Sequence, residues 1–577
     1  MTIGSVTDVA VAIALAGLAA GAGALGRSSG SPGPVDPGGA GPAFGGPFRW
    51  APGGRGGRPG RREAPGSARW ATRADLRSLA VAGPVPGRLA LGVAFGRRHR
   101  TRRRRRSSPG HGALPLAAEP SQSLAVVGPT QSGKTTGLAV PAILEWEGPV
   151  VAASVKTDLV RDTLTWRRRC GHVWCFDPTG ATGLTASRWS PVVAAGSWAG
   201  ARRVAADLTE VVRGPATSAD GEFWYATAAK LLAPLLFAAA RSGAGVADVV
   251  RWVETQEVDE VLGLLEAAGC PEALQAARAT WLRDERQRSA VYTTAETVLE
   301  AFADELATPG NRTAGNEDID PEMLLGGPHT LYLCAPAHDQ RRLRPLFVAV
   351  VKQVLETAFT RSARLGRPLD PALLVVLDEA ANIAPLAELD GLAATCAGHG
   401  VQLVTVWQDL AQVHARYGDR AATVVNNHRA KLFLSGTSDP RTLDHASHLV
   451  GEEEVWQPSV AWTATGERSI TSAPMHRHLL APDALRRMAP GTGVLVYGSL
   501  APVQVHLRPW YDVPALRRRA RGTPAAGDGL LGRPARGRHR QGGPGALPSR
   551  RWQQRALKRW RDRGSPGRGR RPPTSTT

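Results

Sequence analysis

The stretch Ser123–Ile143, "SLAVVGPTQSGKTTGLAVPAI", decides the fold class. Four apolar residues, Leu124–Val127, predict a buried strand, and the pattern G-x-x-x-x-G-K-[ST] follows at once as Gly128–Thr135. In such a loop the main-chain N–H groups hold phosphates, the lysine reaches the β- and γ-phosphates and the hydroxyl binds Mg²⁺. We therefore expect Lys134 to contact nucleotide and Thr135 to hold the metal. The predicted nucleotide-contacting residues are Gly128, Pro129, Thr130, Gln131, Ser132, Gly133, Lys134, Thr135 and Thr136.

An acidic pair at the end of a second apolar run predicts the other half of the site. In "ALLVVLDEA", Ala372–Ala380, Asp378 ends the run and Glu379 follows it. Asp378 is placed to hold Mg²⁺ through water, and Glu379 to orient and deprotonate an attacking water. The alternative is that Glu379 only caps the next helix.

A third polar residue follows another apolar run, "VQLVTVW" at Val401–Trp407. The next residue, Gln408, carries an amide that can contact a γ-phosphate. A glutamine at the end of a strand is more often simply solvated. The prediction therefore holds only if the fold brings Gln408 close to the γ-phosphate.

Apolar runs alternate with helical patterns, which predicts an α/β fold with a doubly wound parallel sheet. Between Ala201 and Leu306 helical patterns dominate, and we expect an inserted all-α domain there. The further predicted strands are Pro149–Val155, His329–Pro336, Ala372–Ala380, Val401–Trp407, Ala430–Gly436 and Gly491–Gly498.

The chain of 577 residues is long enough for several domains. We expect a membrane anchor and linker, a nucleotide-binding domain in two parts around the all-α insertion, and a disordered basic tail. The predicted bounds are 1–26 for the anchor, 27–60 for the linker, 61–200 and 326–511 for the nucleotide-binding domain, 201–325 for the insertion and 512–577 for the tail.

The N-terminal segment Val9–Gly26 has no charged residue and would span about 27 Å as a helix, close to the thickness of a bilayer core. Arginines follow it, so the positive-inside rule places the rest of the chain in the cytoplasm. The alternative is a buried or disordered Ala-rich segment.

The net charge of +21 is concentrated on appendages. Eight arginines lie between Arg97 and Arg106, and eighteen basic against two acidic residues lie from Arg517 onward, so the rest is close to neutral. Trp552, Ala556 and Trp560 would share one face of a helix within the tail. This face would suit a membrane surface, DNA phosphates or an acidic partner, and the alternative is a solvated, disordered tail.

Together these motifs resemble those of the type IV coupling proteins, the TraG/TraD-like ATPases of conjugation and type IV secretion. The resemblance is to an actinobacterial-type member of this family. The resemblance covers about residues 66–511. It rests on the order of "GSARWA", "GPTQSGKTTGLAVP", "SVKTDL", "CFDPTG", "RWSPV", "LYLCAPAHD", "LLVVLDEAANIAPL", "VWQDLAQVHARYG" and "NNHRAKLFLSGTSDPRTLDHASHLVG".

The resemblance implies a RecA-like P-loop NTPase domain with a smaller all-α domain. It implies an ATP-driven homohexameric motor, anchored in the inner membrane, that passes a relaxase-bound DNA strand or effector proteins to a secretion channel. By motif, Lys134 and Thr135 become the Walker A pair, Asp378 and Glu379 the Walker B pair, and Gln408 the glutamine that contacts γ-phosphate.

The chain departs from the family pattern at three places. Ala397 stands where many members have an arginine, which leaves Arg429 and Arg416 as candidates for the arginine that acts on a neighbouring subunit. Ser154 stands where many members have an aspartate, and one membrane segment stands where many have two.

Two other functions remain open at this point. The alanine at position 397 is compatible with a recruitment platform that binds ATP and docks secretion substrates with little hydrolysis. An FtsK-like pump for double-stranded DNA is less favoured, because "GSARWA" and "RWSPV" follow the coupling-protein layout.

Overall fold

The computed structural model describes residues 67–95, 113–213, 219–303, 317–462 and 468–522. The predicted membrane anchor, the linker, the arginine run from Arg97 to Arg106 and the tail segment with Trp552, Ala556 and Trp560 lie outside the described residues. The strands in the described part are β1 (Ala90–Phe95), β2 (Ala113–Ala117), β3 (Leu124–Val127), β4 (Val150–Ser154), β5 (Val173–Phe176), β6 (Thr330–Cys334), β7 (Leu373–Asp378), β8 (Val401–Trp407), β9 (Ala430–Leu434), β10 (Glu452–Trp462), β11 (Arg468–His478), β12 (Thr492–Tyr497) and β13 (Val503–His506).

The α-helices of the same ranges lie between these strands and are longest in the segment between β5 and β7. They are α1 (Val140–Glu145), α2 (Asp158–Cys170), α3 (Trp198–Arg213), α4 (Ala219–Ser242), α5 (Val246–Glu254), α6 (Asp259–Ala268), α7 (Pro271–Trp281), α8 (Glu285–Leu299), α9 (Pro321–Leu324), α10 (Gln340–Leu365), α11 (Ala380–Ile383), α12 (Leu389–Thr395), α13 (Leu410–Tyr417), α14 (Ala421–Asn427), α15 (Pro440–Val450), α16 (Pro482–Arg486) and α17 (Pro514–Ala520).

The described strands form an 11-stranded sheet in the order β2-β1-β13-β12-β9-β3-β8-β7-β4-β6-β5, with β10 and β11 as a separate pair. The strands from β9 to β5 in this order run parallel, as a doubly wound fold requires. The other four are antiparallel, so the predicted doubly wound parallel sheet is confirmed for seven strands and the sheet as a whole is mixed.

The antiparallel pairing of β12 with β13 follows from the length of their connection. Only five residues join β12 to β13, whereas a parallel connection needs a crossover of a dozen residues or more. Gly491–Gly498 was expected to be one more parallel strand, but β12 pairs antiparallel with β9. The short strands β1, β2 and β13 were not predicted at all.

The central strands are buried on both faces, which explains their unbroken apolar runs. Alternate residues of β4 enter different cores: Val151 and Ala153 pack on one face of the sheet, and Val150 and Ala152 on the other. Because the side chains of a strand alternate between faces, each of these strands contributes to both cores.

The helices α3 to α8 form the predicted all-α segment and share a hydrophobic core with one face of the sheet. Leu231 of α4 and Val291 of α8 belong to the same buried cluster as Val151. The segment Gly221–Ser242 is, within the described ranges, the one helix long and apolar enough to cross a membrane. It packs against α3, α6, α7 and α8. A helix of the protein core therefore has the length and hydropathy that a membrane-spanning helix would need.

Two further elements differ from the sequence interpretation. The strands β10 and β11 form a long hairpin in which Trp456 and Trp462 are exposed to solvent, and no pattern predicted it. Residues 514–520, assigned to the tail, form α17: Leu516 is buried, and the Arg519 guanidinium lies 4.9 Å from the Trp166 ring centroid. The ordered body therefore extends beyond the boundary expected at residue 512.

Candidate nucleotide-binding site

The predicted site residues lie at the carboxyl ends of adjacent parallel strands. Val127 of β3 pairs in register with Trp407 of β8, and Ser154 of β4 pairs with Asp378 of β7. Strand β8 lies between β3 and β7, so Gln408 follows the strand that separates the phosphate loop from the acidic pair. Ligands of open α/β sheets bind at this edge.

The loop Gly128–Lys134 joins β3 to a helical segment that begins at Thr135. The main-chain N–H of Gly128 donates to Trp407 O at 3.1 Å, which ties the loop to β8. A Cβ atom at position 128 would lie 2.8 Å from Leu434 Cβ, so glycine is required there. Gln131 and Gly133 both have positive φ, 63° and 89°, which gives the loop its tight reversal.

Lys134 points back into its own loop. Its Nζ donates to Pro129 O at 2.7 Å and also to Gly128 O. Burial is the main cause that lowers the pKa of this ammonium. The positive charge therefore lies within the loop, where a phosphate group would interact with it directly.

Asp378 is buried and accepts two hydroxyl donors on the same oxygen. Thr135 Oγ1 donates to Asp378 Oδ2 at 3.0 Å and Ser154 Oγ donates to it at 3.3 Å. Burial raises the pKa of Asp378 to about 6, and the charges of Asp158 and Glu379 add to the rise. A carboxylate and a hydroxyl are the hard oxygen ligands that Mg²⁺ prefers, so Asp378 and Thr135 fit the predicted metal site.

Glu379 adopts a left-handed backbone conformation, with φ 64° and ψ 56°. A non-glycine residue in this region costs on the order of 1–3 kcal/mol, and such strain concentrates at functional sites. Although Glu379 stands at the start of α11, its side chain makes no capping bond, which disfavours the helix-cap alternative. Its Oε2 instead accepts from Asn382 Nδ2 at 3.1 Å.

Gln408 lies between the phosphate loop and the acidic pair, as its position after β8 predicts. Its main-chain N–H donates to Gln412 Oε1 at 3.1 Å. The half-buried side chain has no hydrogen bond to another residue of the described ranges. The structure thus brings Gln408 to the site edge, and its contact with γ-phosphate stays a prediction.

The two candidate arginines lie at opposite edges of the sheet. Arg429 precedes β9, where its Nη2 lies 3.3 Å from Glu119 Oε2 and its guanidinium stacks over Tyr497. Arg416 of α13 donates from Nη2 to Pro385 O at 3.4 Å, close to the segment that follows Glu379. Ala397 precedes β8 and so lies at the amino edge, away from the phosphate loop.

Two residues at the site edge were missed by the sequence analysis. Asn382 holds the Glu379 carboxylate, and Arg344 of α10 donates from Nε to Asn382 O at 3.3 Å. The only local signal for Asn382 was its position three residues after Glu379, within one helical turn. Nothing in the sequence pointed to Arg344, because its contact depends on the packing of α10 against α11.

Comparison with known proteins gives a consistent result. Residues 98–526 match the family model described as "Type IV secretory system Conjugative DNA transfer". The conjugal transfer protein TraG of Escherichia coli is 26% identical over 407 residues, covering 64% of this chain and 62% of that relative. VirD4 of Rhizobium rhizogenes is 23% identical over 492 residues, covering 79% and 67%.

The fold is similar to that of solved structures of the plasmid coupling protein TrwB. An unbound form gives a TM-score of 0.53 at 22% identity and covers 67% of this chain and 85% of that chain. The form titled as a complex with ADP and Mg²⁺ gives 0.53 at 20% identity and covers 74% and 96%. The chain spans about three fifths of the length of the TraG relatives.

Proposed function

The chain belongs to the type IV secretory system conjugative DNA transfer family, and from this premise we propose that it is a P-loop ATPase that couples ATP hydrolysis to delivery of DNA, or of a DNA–protein substrate, to a type IV secretion channel. The family description carries the DNA-transfer part of the proposal. The hydrogen bond from Thr135 to Asp378, beside Glu379, carries the enzymatic part.

Nucleotide binding rests on the loop and its lysine. The residues Gly128 to Thr136 would surround the phosphates of ATP, with the Lys134 ammonium on the β- and γ-phosphates. Thr135 and Asp378 would hold Mg²⁺, which when bound neutralises charge on the phosphate oxygens. Proteins with the same fold support this proposal, because solved structures of TrwB include complexes with an ATP analogue and with ADP and Mg²⁺.

Hydrolysis needs a base beside the γ-phosphate, and Glu379 is the proposed base. Its strained backbone is maintained although a glycine or asparagine would fit the conformation better, which supports a role for the carboxylate itself. Glu379 would orient the attacking water and accept its proton, and Gln408 would contact the γ-phosphate from the end of β8.

The partners follow from the family and are part of the proposal. We expect a homohexamer at the inner membrane, with residues 1–26 as a single-pass anchor, residues 27–60 as a linker and the ATPase body in the cytoplasm. The nucleotide-binding domain would comprise 61–200 and 326–511, and the all-α domain 201–325. The cargo would be a single DNA strand with its relaxase, passed to components of the secretion channel.

Steady-state ATP hydrolysis by the full chain tests the proposal. We expect Lys134→Ala to lose nucleotide binding and Glu379→Gln to bind ATP but hydrolyse it about 100-fold more slowly or worse. Single-stranded DNA should stimulate the wild-type protein, and the stimulation should weaken as salt rises. Normal turnover by Glu379→Gln would contradict the assignment of the base.

The recruitment platform remains the second candidate, favoured by Ala397 at the position of the family's arginine. It predicts tight ATP binding with negligible turnover, with or without DNA. The same assay therefore separates the two functions.

A further inference from the structure

The first turns of α10 carry an unusual concentration of positive charge. Arg341, Arg342 and Arg344 lie there. Asp339 at the N-cap pairs with Arg342 at 3.2 Å, whereas Arg341 and Arg344 form no ion pair with a residue of the described ranges. Cations near the N-terminus of a helix are unfavourable, because the peptide dipoles already make this end positive. Helix α10 follows β6, whose carboxyl end lies on the same edge of the sheet as the phosphate loop.

A second arginine, Arg416, lies at the same edge as Arg344. Both are half-buried, and they hold the same short segment: Arg344 donates to Asn382 O at 3.3 Å and Arg416 to Pro385 O at 3.4 Å. Within the described ranges, no carboxylate lies at ion-pair distance from either guanidinium. Burial and the charges of Arg416 and Arg341 lower the pKa of Arg344, so these cations repel one another.

Such an arrangement is costly unless an anion binds to it. A half-buried charge without a counter-charge loses hydration and gains little in return. Each guanidinium has five N–H donors, and the main-chain carbonyls engage only one from each residue. Two arginines with remaining donors match the oxygens of a phosphate group better than any single cation does.

The two arginines are also connected to the proposed base. Arg344 Nε donates to Asn382 O, and Asn382 Nδ2 donates to Glu379 Oε2 at 3.1 Å. An anion that draws the Arg344 guanidinium toward itself would weaken the hydrogen bond from Arg344 Nε to Asn382 O. The position of the Glu379 carboxylate would change with it.

We propose that Arg344 and Arg416, with the exposed Arg341 at the rim, form a phosphate-binding site outside the P-loop, and that Asn382 acts as a positioning residue that transmits its occupation to Glu379. The transmission rests on the proposed function, and so does a nucleotide source for the phosphate, whereas phosphate binding itself does not. The phosphate has two possible sources: the backbone of a single nucleic-acid strand, or the nucleotide bound to a second copy of the chain.

Tripolyphosphate binding tests the site independently of activity. In full-length Lys134→Ala, which lacks the P-loop lysine, we expect tripolyphosphate still to raise the melting temperature. Adding Arg344→Gln and Arg416→Gln should weaken this binding about tenfold or more. Adding Arg278→Gln, the matched control, should not, because Arg278 is exposed on α7 and pairs with Glu266. Equal tripolyphosphate affinity in the arginine variants and the control would overturn the proposal.

Two further experiments distinguish the two possible sources of the phosphate. If the ligand is nucleic acid, the Arg344→Gln/Arg416→Gln variant should bind an oligo-dT strand at least tenfold more weakly, with a salt slope smaller by about 1.4. If it is a second copy's nucleotide, oligo-dT affinity should stay and turnover should fall. Mixing this variant with Lys134→Ala, which retains both arginines, should then restore turnover.

Asn382→Ala tests the transmission. If the variant binds the phosphate ligand with wild-type affinity and its turnover no longer responds to that ligand, the coupling is supported. Asn382→Gln should partly restore the response, because it keeps the amide donor. An unchanged response in Asn382→Ala would refute the coupling, while absence of turnover in the wild-type protein would refute the proposed function instead.

Discussion

Arg167 at the amino edge of the parallel strands has different surroundings from the charged residues at the carboxyl edge. At the amino edge Arg167 of α2 is completely buried, and every acceptor it contacts is neutral. These acceptors are Thr330 Oγ1 at 2.6 Å, Trp146 O at 2.7 Å, Gly148 O at 2.9 Å, Pro328 O at 3.1 Å and His329 O at 3.2 Å. The guanidinium is surrounded by acceptors, so this arginine ties α2 to the loops that precede β4 and β6.

At the carboxyl edge four charged residues lie in less favourable surroundings. Asp378 is buried with a raised pKa, Glu379 has a strained backbone, and Arg344 and Arg416 each donate one hydrogen bond to a carbonyl. The comparison teaches that Arg167 stabilises the amino edge, while the carboxyl edge retains unfavourable charged groups that a ligand would neutralise.

The largest expected effect is the loss of stability when Arg167 at the amino edge is replaced. Arg167→Ala leaves several buried carbonyls without their donor, and we expect it to lower the free energy of unfolding by about 3–5 kcal/mol. Urea unfolding measures the loss. Arg169→Ala on the exposed side of the same helix should change it by less than about 0.5 kcal/mol. Similar midpoints for the two variants would mean that Arg167 does not hold this edge together.

The carboxyl edge was the more predictable of the two, because its key residues lie at the ends of apolar runs. The sequence identified β3, β4, β7 and β8 and the residues that follow them. Their burial on both faces produces the continuous apolar pattern that makes such strands visible. The roles predicted for Lys134, Asp378 and Glu379 are compatible with their positions in the structure.

Other features depend on contacts between distant residues and had no local signal. Arg344 and Arg416 are 72 positions apart in the sequence, and only the fold brings both to one segment. The same holds for Arg167, since the sequence pattern of α2 does not show where its guanidinium is buried. The antiparallel half of the sheet was missed because β1 and β13 lack an unbroken buried run and pair with each other although they are remote in the chain.

An effect of intermediate size is expected on the stability of the fold when Asp378 at the carboxyl edge is replaced. Its pKa is about 6 in the folded protein against an ordinary value of 3.8, so the folded state binds a proton more tightly than the unfolded state. The protonated Asp378 side chain therefore contributes stability that is fully present below pH 3.8 and is lost as the pH rises through 6. Asp378→Asn cannot ionise, and we expect it to be more stable by about 1–3 kcal/mol at pH 7 without nucleotide or Mg²⁺.

Melting temperatures measured from pH 4 to pH 8 check this expectation. The difference between Asp378→Asn and the wild-type protein should shrink toward pH 4, where the aspartate is protonated in the fold. Mg²⁺-dependent turnover should be lost in the variant. A variant that is less stable at pH 7 would show that the ionised carboxylate stabilises the fold, which would remove the contrast between the two edges.

The smallest expected effect concerns Ser154, which stands where the family resemblance leads us to expect an aspartate. Its hydroxyl donates to Asp378 Oδ2 at 3.3 Å, farther than the Thr135 hydroxyl at 3.0 Å. Ser154→Ala should therefore cost about 0.5–1 kcal/mol, like Ser447→Ala, which removes a buried hydroxyl bond to Leu480 O elsewhere in the chain. Unlike that control, Ser154→Ala should raise the Mg²⁺ concentration for half-maximal turnover about twofold, because Asp378 loses one donor that orients it. If the Mg²⁺ requirement rises as far as it does in Thr135→Ala, Ser154 is itself a metal ligand, and the serine has kept the role of the aspartate it replaces.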